Sequence, residues 1–507
     1  MTKNYIKCAL LSFTLLTGAT GCEDFLEQPV PGKLSEEGFY KTDSDALQAT
    51  TAIYDIMQAH YNTAWSSIYM VKLMPSDESN AAGSGSGDQP AYQTLDDFNF
   101  DSENAAVKAA WDLTYRAVFR ANKVVKNVPP ENALRKRLIA EAKFLRAFNY
   151  FELVTLWGDV PLVLDEVPAE QWTSTPRAPK AEVYAQIEKD LQEAITDLPL
   201  KSGYSAADKF RASKGTAQAL LGKVFLFQEK WNDAATQFEN VISSKEYGLE
   251  SSVGIVFSKK GEFGKESLFE ISFSSIERYN WGNFPWDSRP ESNIHLQLMG
   301  PRSDFYVKAP SDSLIGGWGF NSPKAKLYQA FTAAGDVKRR EVTVMSEAEL
   351  KAKGGNWTNP NAYEYEGYFQ RKYGTYLSQT STTDGDAAEL NYGTNWRMIR
   401  YADVLLMAAE AYYRAGNAGK AQEYLNDVRE RSELPEIFPT GTDLFNAIVR
   451  ERYLELAFEG FRYQDLVRWG LATQELGPLG YQANKHNLLP IPGADIRIAG
   501  LSQNPGY

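Results

Sequence analysis

The stretch MIRYADVLLMAAEAYYRAGNAGKAQEYLNDVRERSE, residues 398–433, decides the fold. Apolar and small residues recur in it at three- and four-residue spacing, first over Leu405–Tyr412 and again over Ala421–Val428. Gly416 and Gly419 separate the two runs. This spacing predicts two helices, each with one apolar face. The small residues let the two backbones approach closely, so the stretch predicts a helical hairpin.

A second hairpin pattern lies earlier in the chain, at residues 213–244. Gly222 precedes Phe225, and Ala234 precedes Phe238, at the spacings of the tetratricopeptide repeat. The hairpin predicted for residues 398–433 is of the same type. The two pairs are not in tandem, so the sequence does not predict a long solenoid. Further helical patterns cover 105–127, 134–156, 181–198 and 442–471, and Thr42 or Ser44 can cap a helix that carries Ala46, Ala49, Ile53 and Met57.

A long segment between the hairpins, residues 251–396, has a different composition. Gly, Asn, Ser and aromatic residues dominate it, and short strand-like alternations occur at 268–273 and 363–368. We therefore predict a mostly α protein, with tetratricopeptide-like helical pairs as a scaffold and a long irregular, aromatic-rich insert that contains short strands. The predicted bounds are 35–250 and 397–475 for the scaffold and 251–396 for the insert, within a single domain over 22–507.

The composition excludes several classes of function. A net charge of −12 and a pI near 5.1 argue against a nucleic-acid partner, which requires a basic face. The two cysteines are Cys8 and Cys22, and the three histidines have no metal-ligand spacing, so we predict no metal site. Phosphate-binding and nucleophile-elbow motifs are missing from the sequence, so we predict no cofactor and no catalytic residues. Asp384, Asp386 and Glu389 lack the full calcium-loop pattern, which favours a surface turn.

The first residues have the order of a secretory signal, with Lys3 and Lys7 before the apolar run Ala9–Leu16. The run is too short to span a membrane. It ends in Ala19-Thr20-Gly21-Cys22, which is similar to a bacterial lipobox. We predict a signal peptide over 1–21 and lipidation of Cys22; an ordinary signal peptide with a chance cysteine is the alternative.

Several segments together resemble the SusD/RagB family of outer-membrane nutrient-binding lipoproteins of the Bacteroidetes. They include CEDFLE after the lipobox, GFYKTDSDALQA, AEAKFLRAFNYFELVTLWGDVPLV, ASKGTAQALLGKVFL, IRYADVLLMAAEAYYRAG, VRERYLELAFEGFRYQDLVRWG, LLPIP and the terminal QNPGY. The resemblance implies a lipid-anchored protein on the outer membrane, facing the cell exterior, as the acidic residues after Cys22 also suggest. It implies that the protein covers a SusC-like TonB-dependent transporter, binds a glycan and delivers it. Some members bind peptides, which stays an alternative.

Glycan recognition requires exposed aromatic faces and polar side chains for the hydroxyls. The stretch 279–289 is the richest in both, because a glycine- and proline-bounded loop exposes side chains. The candidate residues in it are Tyr279, Trp281, Asn283, Trp286, Asp287 and Arg289. The alternative is that Trp281 and Trp286 fill gaps between the insert and the scaffold.

Weaker candidates lie elsewhere. Trp318 has glycine on both sides, which suits close approach by a ligand and equally suits a turn anchored in the core. Asp77 and Asn80, in the polar segment 75–90, and Tyr92 just after it could add contacts; a flexible solvated loop is the competing interpretation.

Two further functions stay open from the sequence. A surface glycoside hydrolase would need two carboxylates about 5 to 9 Å apart, and Asp287 with Glu291 lies near the aromatic loop. A structural repeat scaffold in the envelope is the other. We predict a binding protein that is not an enzyme.

Overall fold

The computed structural model describes residues 39–62, 65–171, 173–286 and 289–507. The predicted signal peptide, Cys22 and Asp287 lie outside these residues.

Helices dominate the described residues on both sides of the insert. Before it they are α1 (Asp43–Asn62), α2 (Ile68–Leu73), α3 (Pro90–Asp96), α4 (Ala105–Asn127), α5 (Ala133–Trp157), α6 (Lys180–Asp197), α7 (Lys214–Phe227) and α8 (Trp231–Ser243). Within the insert they are α9 (Val253–Val256), α10 (Ile294–Met299), α11 (Ala325–Ala334), α12 (Val337–Thr343) and α13 (Glu347–Ala352). After it come α14 (Tyr401–Arg414), α15 (Ala418–Arg431), α16 (Gly441–Glu455), α17 (Arg462–Arg468), α18 (Ala472–Leu476) and α19 (Gly493–Ala499).

The strands are short and pair two by two. They are β1 (Ser79–Ala82), β2 (Ser267–Ile271), β3 (Tyr306–Val307), β4 (Phe320–Pro323), β5 (Val344–Ser346), β6 (Asn356–Trp357), β7 (Tyr368–Gln370) and β8 (Trp396–Arg400). The antiparallel pairs are β1 with β4, β2 with β8, β3 with β6 and β5 with β7. Because β2 and β8 pair near the two ends of the insert, its ends lie side by side.

The two predicted hairpins pack against each other. From α4 to α8 each helix contacts the next, and α8 then contacts α14, which pairs with α15. Gly222 makes the close packing within the earlier hairpin possible, since a Cβ there would lie 2.6 Å from the Phe238 ring. The hydroxyls of Tyr412 and Tyr424 both donate to Glu239 on α8. The helical array is therefore continuous in space, although the insert interrupts it in sequence.

The predicted fold class is confirmed, with local differences. The helix expected over 442–471 is split after Glu455, because Phe458 and Gly460 adopt positive φ values of 63° and 77°. Thr42 caps α1, since its hydroxyl accepts the Asp45 amide at 3.1 Å. The insert is also less irregular than predicted, because helices α9 to α13 lie in it.

Buried ion pairs join the end of the scaffold to the insert. Arg400, fully buried, contacts Glu266 at 2.9 Å, Glu455 at 2.6 Å and Glu459 at 2.7 Å. Burial removes each of these charged groups from water, so each depends on its ion-pair partners to offset the lost hydration. The network fixes the end of β8 against the end of α16 and the segment that follows it.

The segment 75–90 is the main departure from the sequence prediction, because much of it is buried and contains β1. Asp77 contacts Arg462 at 2.8 Å and Lys326 at 2.6 Å. Burial raises the pKa of Asp77, but the hydrogen bonds and charge of Arg462 outweigh it, so the net shift is downward. Burial followed by the charge of Asp77 raises the pKa of Glu78 to about 8.

Glu78→Gln is expected to stabilise the protein increasingly as the pH rises from about 4.5 to about 8. A folded-state pKa above the unfolded value of 4.5 means that the native carboxyl retains its proton in this window and that wild-type stability falls as the pH rises. The slope should reach at most about 1.4 kcal/mol per pH unit, and glutamine removes it while still accepting the Phe458 amide. Thermal unfolding of both proteins across the window checks this.

The matched control for this experiment is Glu423→Gln, on an exposed side chain paired with Lys420. A stability difference between Glu78→Gln and wild type that stays constant from about pH 5 to about pH 8 would contradict the prediction.

Candidate functional site

Four tryptophan rings form one aromatic surface. The centroids of Trp281, Trp286 and Trp318 lie 6.2 to 6.5 Å from each other, with planes inclined by 20 to 34°. Trp65 stacks on Trp318 at 5.5 Å and 17°. Trp281 is 56% exposed and Trp286 is 43% exposed. We call these four residues the tryptophan surface; it presents flat apolar faces to the solvent.

The pairing of β4 with β1 lies next to the contact between Trp318 and Trp65. Phe320 begins β4, which pairs with β1, and its ring contacts Trp65 at 5.7 Å and Tyr92 at 6.3 Å. The Trp318 amide donates to the Gln297 carbonyl at 2.8 Å. A Cβ on the preceding residue, Gly317, would lie 2.6 Å from that carbonyl oxygen, so glycine is required there. The backbone of Trp318 is therefore fixed by its hydrogen bond to Gln297, and Phe320 supports Trp65, the ring on which Trp318 stacks.

Two buried asparagines anchor the ends of the loop 279–291. Asn391 accepts the Tyr279 amide and donates to the carbonyls of Tyr279 and Ala387, each at 2.7 Å. Asn62, at the end of α1, donates to the carbonyls of Pro290 and Ser292 and accepts the Ile294 amide. Side chains held in this way lose little further freedom when a ligand binds.

Asn391→Ala is expected to cost about 1–3 kcal/mol of stability, because it leaves backbone groups of the loop without partners. It should also weaken ligand binding roughly tenfold, since the tryptophans on the loop are then less well pre-organised. Isothermal titration and urea unfolding measure the two effects. Asn426→Ala is the matched control: Asn426 makes two hydrogen bonds with Ile437, so its loss should lower stability alone. Unchanged affinity in Asn391→Ala would contradict the prediction.

Arginine–carboxylate pairs lie beside the tryptophan surface. Arg302 donates to the Trp318 carbonyl at 3.1 Å and contacts Asp304 at 2.8 Å. Arg289, three residues after Trp286, pairs with Asp55. The remaining pair is Arg278, next to Tyr279, with Asp386 at 3.2 Å; a hydrogen bond from Ser381 and a second from Arg278 lower the pKa of Asp386, which keeps it ionised. These pairs offer donors and acceptors suited to hydroxyl groups.

The structure brings most residues of the predicted loop together. Asn283 is exposed, and its side-chain oxygen Oδ1 accepts the Asn280 amide at 2.6 Å, which shapes the turn that contains Trp281. The Tyr279 ring packs edge-on against Phe284 at 5.3 Å, and its hydroxyl accepts the Glu291 amide. Arg289 is exposed, and Trp318 is partly buried within the tryptophan surface. Asp287 lies outside the described residues.

Three predicted contacts are buried, and we remove them from the candidate site. Asp77 is 1% exposed and is paired with Arg462 and Lys326. Asn80 donates to the Glu364 carbonyl and to Glu366. Tyr92 is fully buried behind Phe320. The segment predicted as a solvated loop instead supports the site, because its residues find partners far away in the sequence.

Two residues of this region, Trp65 and Arg302, were not predicted from the sequence. A tryptophan in the short polar segment after α1, Thr63-Ala64-Trp65-Ser66-Ser67, was a usable signal, because no helical periodicity explains it. Arg302 had no local signal, since its role depends on the carbonyl of Trp318.

The described residues contain no group of three His, Cys, Asp or Glu side chains that could hold a metal ion. Among the same residues, no helix is long and apolar enough to cross a membrane.

Two family models and several solved structures are similar to this chain. A model of the SusD family matches residues 265–507, and a model described as starch-binding, associating with outer membrane, matches residues 79–226. A solved laminarin-binding SusD-like protein is 32% identical with a TM-score of 0.82, covering 92% of this chain and 100% of its own. The chain belongs to the SusD family. The resemblance predicted from the sequence is thereby confirmed.

Further proteins are similar over nearly the whole chain. SusD-like protein P2 of Formosa agariphila is 29% identical over 99% of this chain and 100% of its own. Surface glycan-binding protein A from Bacteroides thetaiotaomicron, solved in complex with laminarihexaose, is 25% identical with a TM-score of 0.77, covering 92% of this chain and 100% of its own.

Proposed function

We propose that this SusD-family protein binds a glycan at the cell surface through the tryptophan surface. The observation that carries the proposal is the exposure of Trp281 and Trp286 beside Trp318 on an anchored loop. Tryptophan rings that belonged to the core would be buried, because each indole contributes a large apolar area. Exposed rings that cost little entropy to order are suited to the C–H faces of a sugar.

The polar groups around the rings support the same conclusion. Arg302 donates to the Trp318 carbonyl, and Asn283 and Arg289 belong to the loop that carries Trp281 and Trp286. Asp55 and Asp304, which pair with Arg289 and Arg302, add hydrogen-bond acceptors. A glycan ring with hydroxyls on its rim and C–H groups on its faces matches this combination. Laminarin is the first ligand to test, because one relative is a laminarin-binding protein and another is solved with laminarihexaose.

We further propose that the protein is anchored to the outer membrane by lipid on Cys22, faces the cell exterior and delivers its ligand to a SusC-like TonB-dependent transporter. Support comes from the lipobox-like sequence, from the match to the family described as associating with outer membrane, and from membership of the SusD family. We also infer that residues 22–507 form one domain, because one cluster of buried apolar side chains extends from Ala46 to Leu501.

Isothermal titration of the wild-type protein with laminarihexaose, neutral plant glycans and an oligopeptide mixture tests the proposal. We expect saturable binding of at least one neutral glycan, competed by no peptide. Binding of oligopeptides without binding of any glycan would favour the peptide alternative.

We propose binding without cleavage, in line with the glycan-binding relatives. Incubation of the pure protein with a bound glycan should release no reducing ends. Release that disappears in Glu291→Gln would instead favour the hydrolase alternative.

A further inference from the structure

Every arginine named above beside the tryptophan surface has a carboxylate partner. Arg278 pairs with Asp386 and Arg302 with Asp304, and Arg302 also lies 4.0 Å from Asp88. Asp55 lies between two arginines: it pairs with Arg289 and, at 2.9 Å, with Arg120 on α4. The arginines in this set are Arg120, Arg278, Arg289 and Arg302, and the carboxylates are Asp55, Asp88, Asp304 and Asp386. The four positive charges are therefore matched by four negative charges.

Such a matched set differs physically from a cluster of free arginines. A free guanidinium binds a carboxylate or sulfate through paired charge-assisted hydrogen bonds. When an aspartate already occupies part of the fork, an incoming anion meets a negative charge a few ångström away, and the attraction and repulsion largely cancel. A neutral hydroxyl pays no such penalty, because it can donate to the carboxylate and accept from the remaining N–H groups.

The pairs lie where they can act on a ligand. Arg302 contacts the backbone of Trp318 directly. The Cα atom of Arg289 is within about 11 Å of that of Trp286, since this is the longest distance that three residues of backbone can span. The side chains of Arg289 and Asp55 are 44% and 39% exposed, so solvent and ligand reach both members of this pair. The side chain of Asp304, the partner of Arg302, is 59% exposed.

We propose that the paired carboxylates make the site selective for uncharged glycans and exclude uronate- and sulfate-bearing ones. The inference rests on the proposed function and adds the chemical class of its ligand. Specificity of this kind comes from a repulsive element against the wrong ligand, here Asp55 and Asp304, as well as from contacts with the right one. The tryptophans supply the attraction, and the aspartates supply the discrimination.

The experiment compares laminarihexaose with an oligomer of polygalacturonate, by isothermal titration at about 0.01 M salt, where charges are least screened. Wild type should bind the neutral oligomer at least roughly tenfold more tightly than the anionic one, because the paired aspartates offset the arginines. Asp55→Asn/Asp304→Asn should bind the anionic oligomer roughly tenfold more tightly than wild type does. This gain should disappear at about 1 M salt, where the Debye length is about 3 Å.

Glu103→Gln/Glu423→Gln is the matched control. It changes the net charge by the same amount but removes exposed carboxylates that pair with Arg497 and Lys420 instead. Equal gain in this control would overturn the proposal, because net charge alone would then explain the effect. Asp304→Asn by itself guards against misfolding of the double variant, since Asp304 is exposed and pairs with Arg302 at the surface.

The outcomes separate this inference from the function on which it rests. Wild-type protein that binds the anionic oligomer as tightly as the neutral one overturns the selectivity while the glycan-binding function stands. Anionic binding that is unchanged in Asp55→Asn/Asp304→Asn and in Asp304→Asn also overturns it. Wild-type protein that binds peptides and no glycan overturns the function and the inference with it.

Discussion

Replacing Glu455 by alanine is expected to lower the free energy of unfolding by roughly 3–5 kcal/mol, because it leaves buried arginines without their partner. Its fully buried carboxylate contacts Arg400 at 2.6 Å and Arg339 at 3.1 Å, and it also accepts from Arg431. These guanidinium groups cannot lose their protons, so each would remain charged in an apolar interior.

Urea unfolding followed by circular dichroism measures the change. Burial raises the pKa of Glu455, but the charges of Arg431, Arg400 and Arg339 outweigh it and hold the pKa well below the usual range. A depressed native pKa gives stability that is complete above about 4.5, the unfolded value, and is lost as the pH falls toward the native value. The alanine variant should therefore also lose part of the wild-type acid sensitivity.

Glu423→Ala is the control for Glu455→Ala, because its carboxylate is about half exposed and pairs with Lys420 at the surface. A change within about 0.5 kcal/mol is expected for it. A loss of less than about 1 kcal/mol in Glu455→Ala would show that the network contributes little to stability.

Removing the exposed indoles is expected to have the largest effect on ligand binding. Trp281→Ala and Trp286→Ala should each cost about 1–3 kcal/mol of binding free energy, judged from ring-stacking losses on nucleobases. The double variant should lose less than the sum of the two, because the rings contact each other at 6.2 Å and share the ligand. Isothermal titration with laminarihexaose measures each loss.

Phe438→Ala is the matched control for the tryptophan variants, since Phe438 is 65% exposed and lies outside the tryptophan surface. It should leave the affinity unchanged. Thermal unfolding should show all of these variants folded, because exposed rings contribute little to the core. Wild-type affinity in both single tryptophan variants would remove the tryptophan surface from the proposed site.

Much of the scaffold could be predicted from the sequence. The helix predicted over 105–127 is observed as Ala105–Asn127, and Thr42 caps α1 as one of two predicted candidates. Helix periodicity and capping depend on residues three or four positions apart, so a local pattern contains the information. The loop that carries Trp281 and Trp286 was recognisable for the same reason, because its glycines and proline exclude regular structure locally.

The partners of charged residues could not be predicted in this way. The spacing in the sequence allows Arg452 to pair with Glu455 along one helix, and it allows Glu459 to lie on the same helix face as Glu455. In the structure Arg452 instead contacts Asp403, and Glu459 contacts Lys372. Helical spacing lists possible neighbours, but burial selects the partner that compensates for the loss of water.

The sequence alone determined the helical hairpins, the aromatic loop and the family, because each depends on residues close together in the chain or on motif order. Only the tertiary structure decided that Trp65 stacks on Trp318, that Asp77 is buried beside Arg462, and that α8 packs against α14. These contacts join segments far apart in sequence. The same holds for the pairing of β1 with β4 and of β2 with β8, which short-range patterns do not encode.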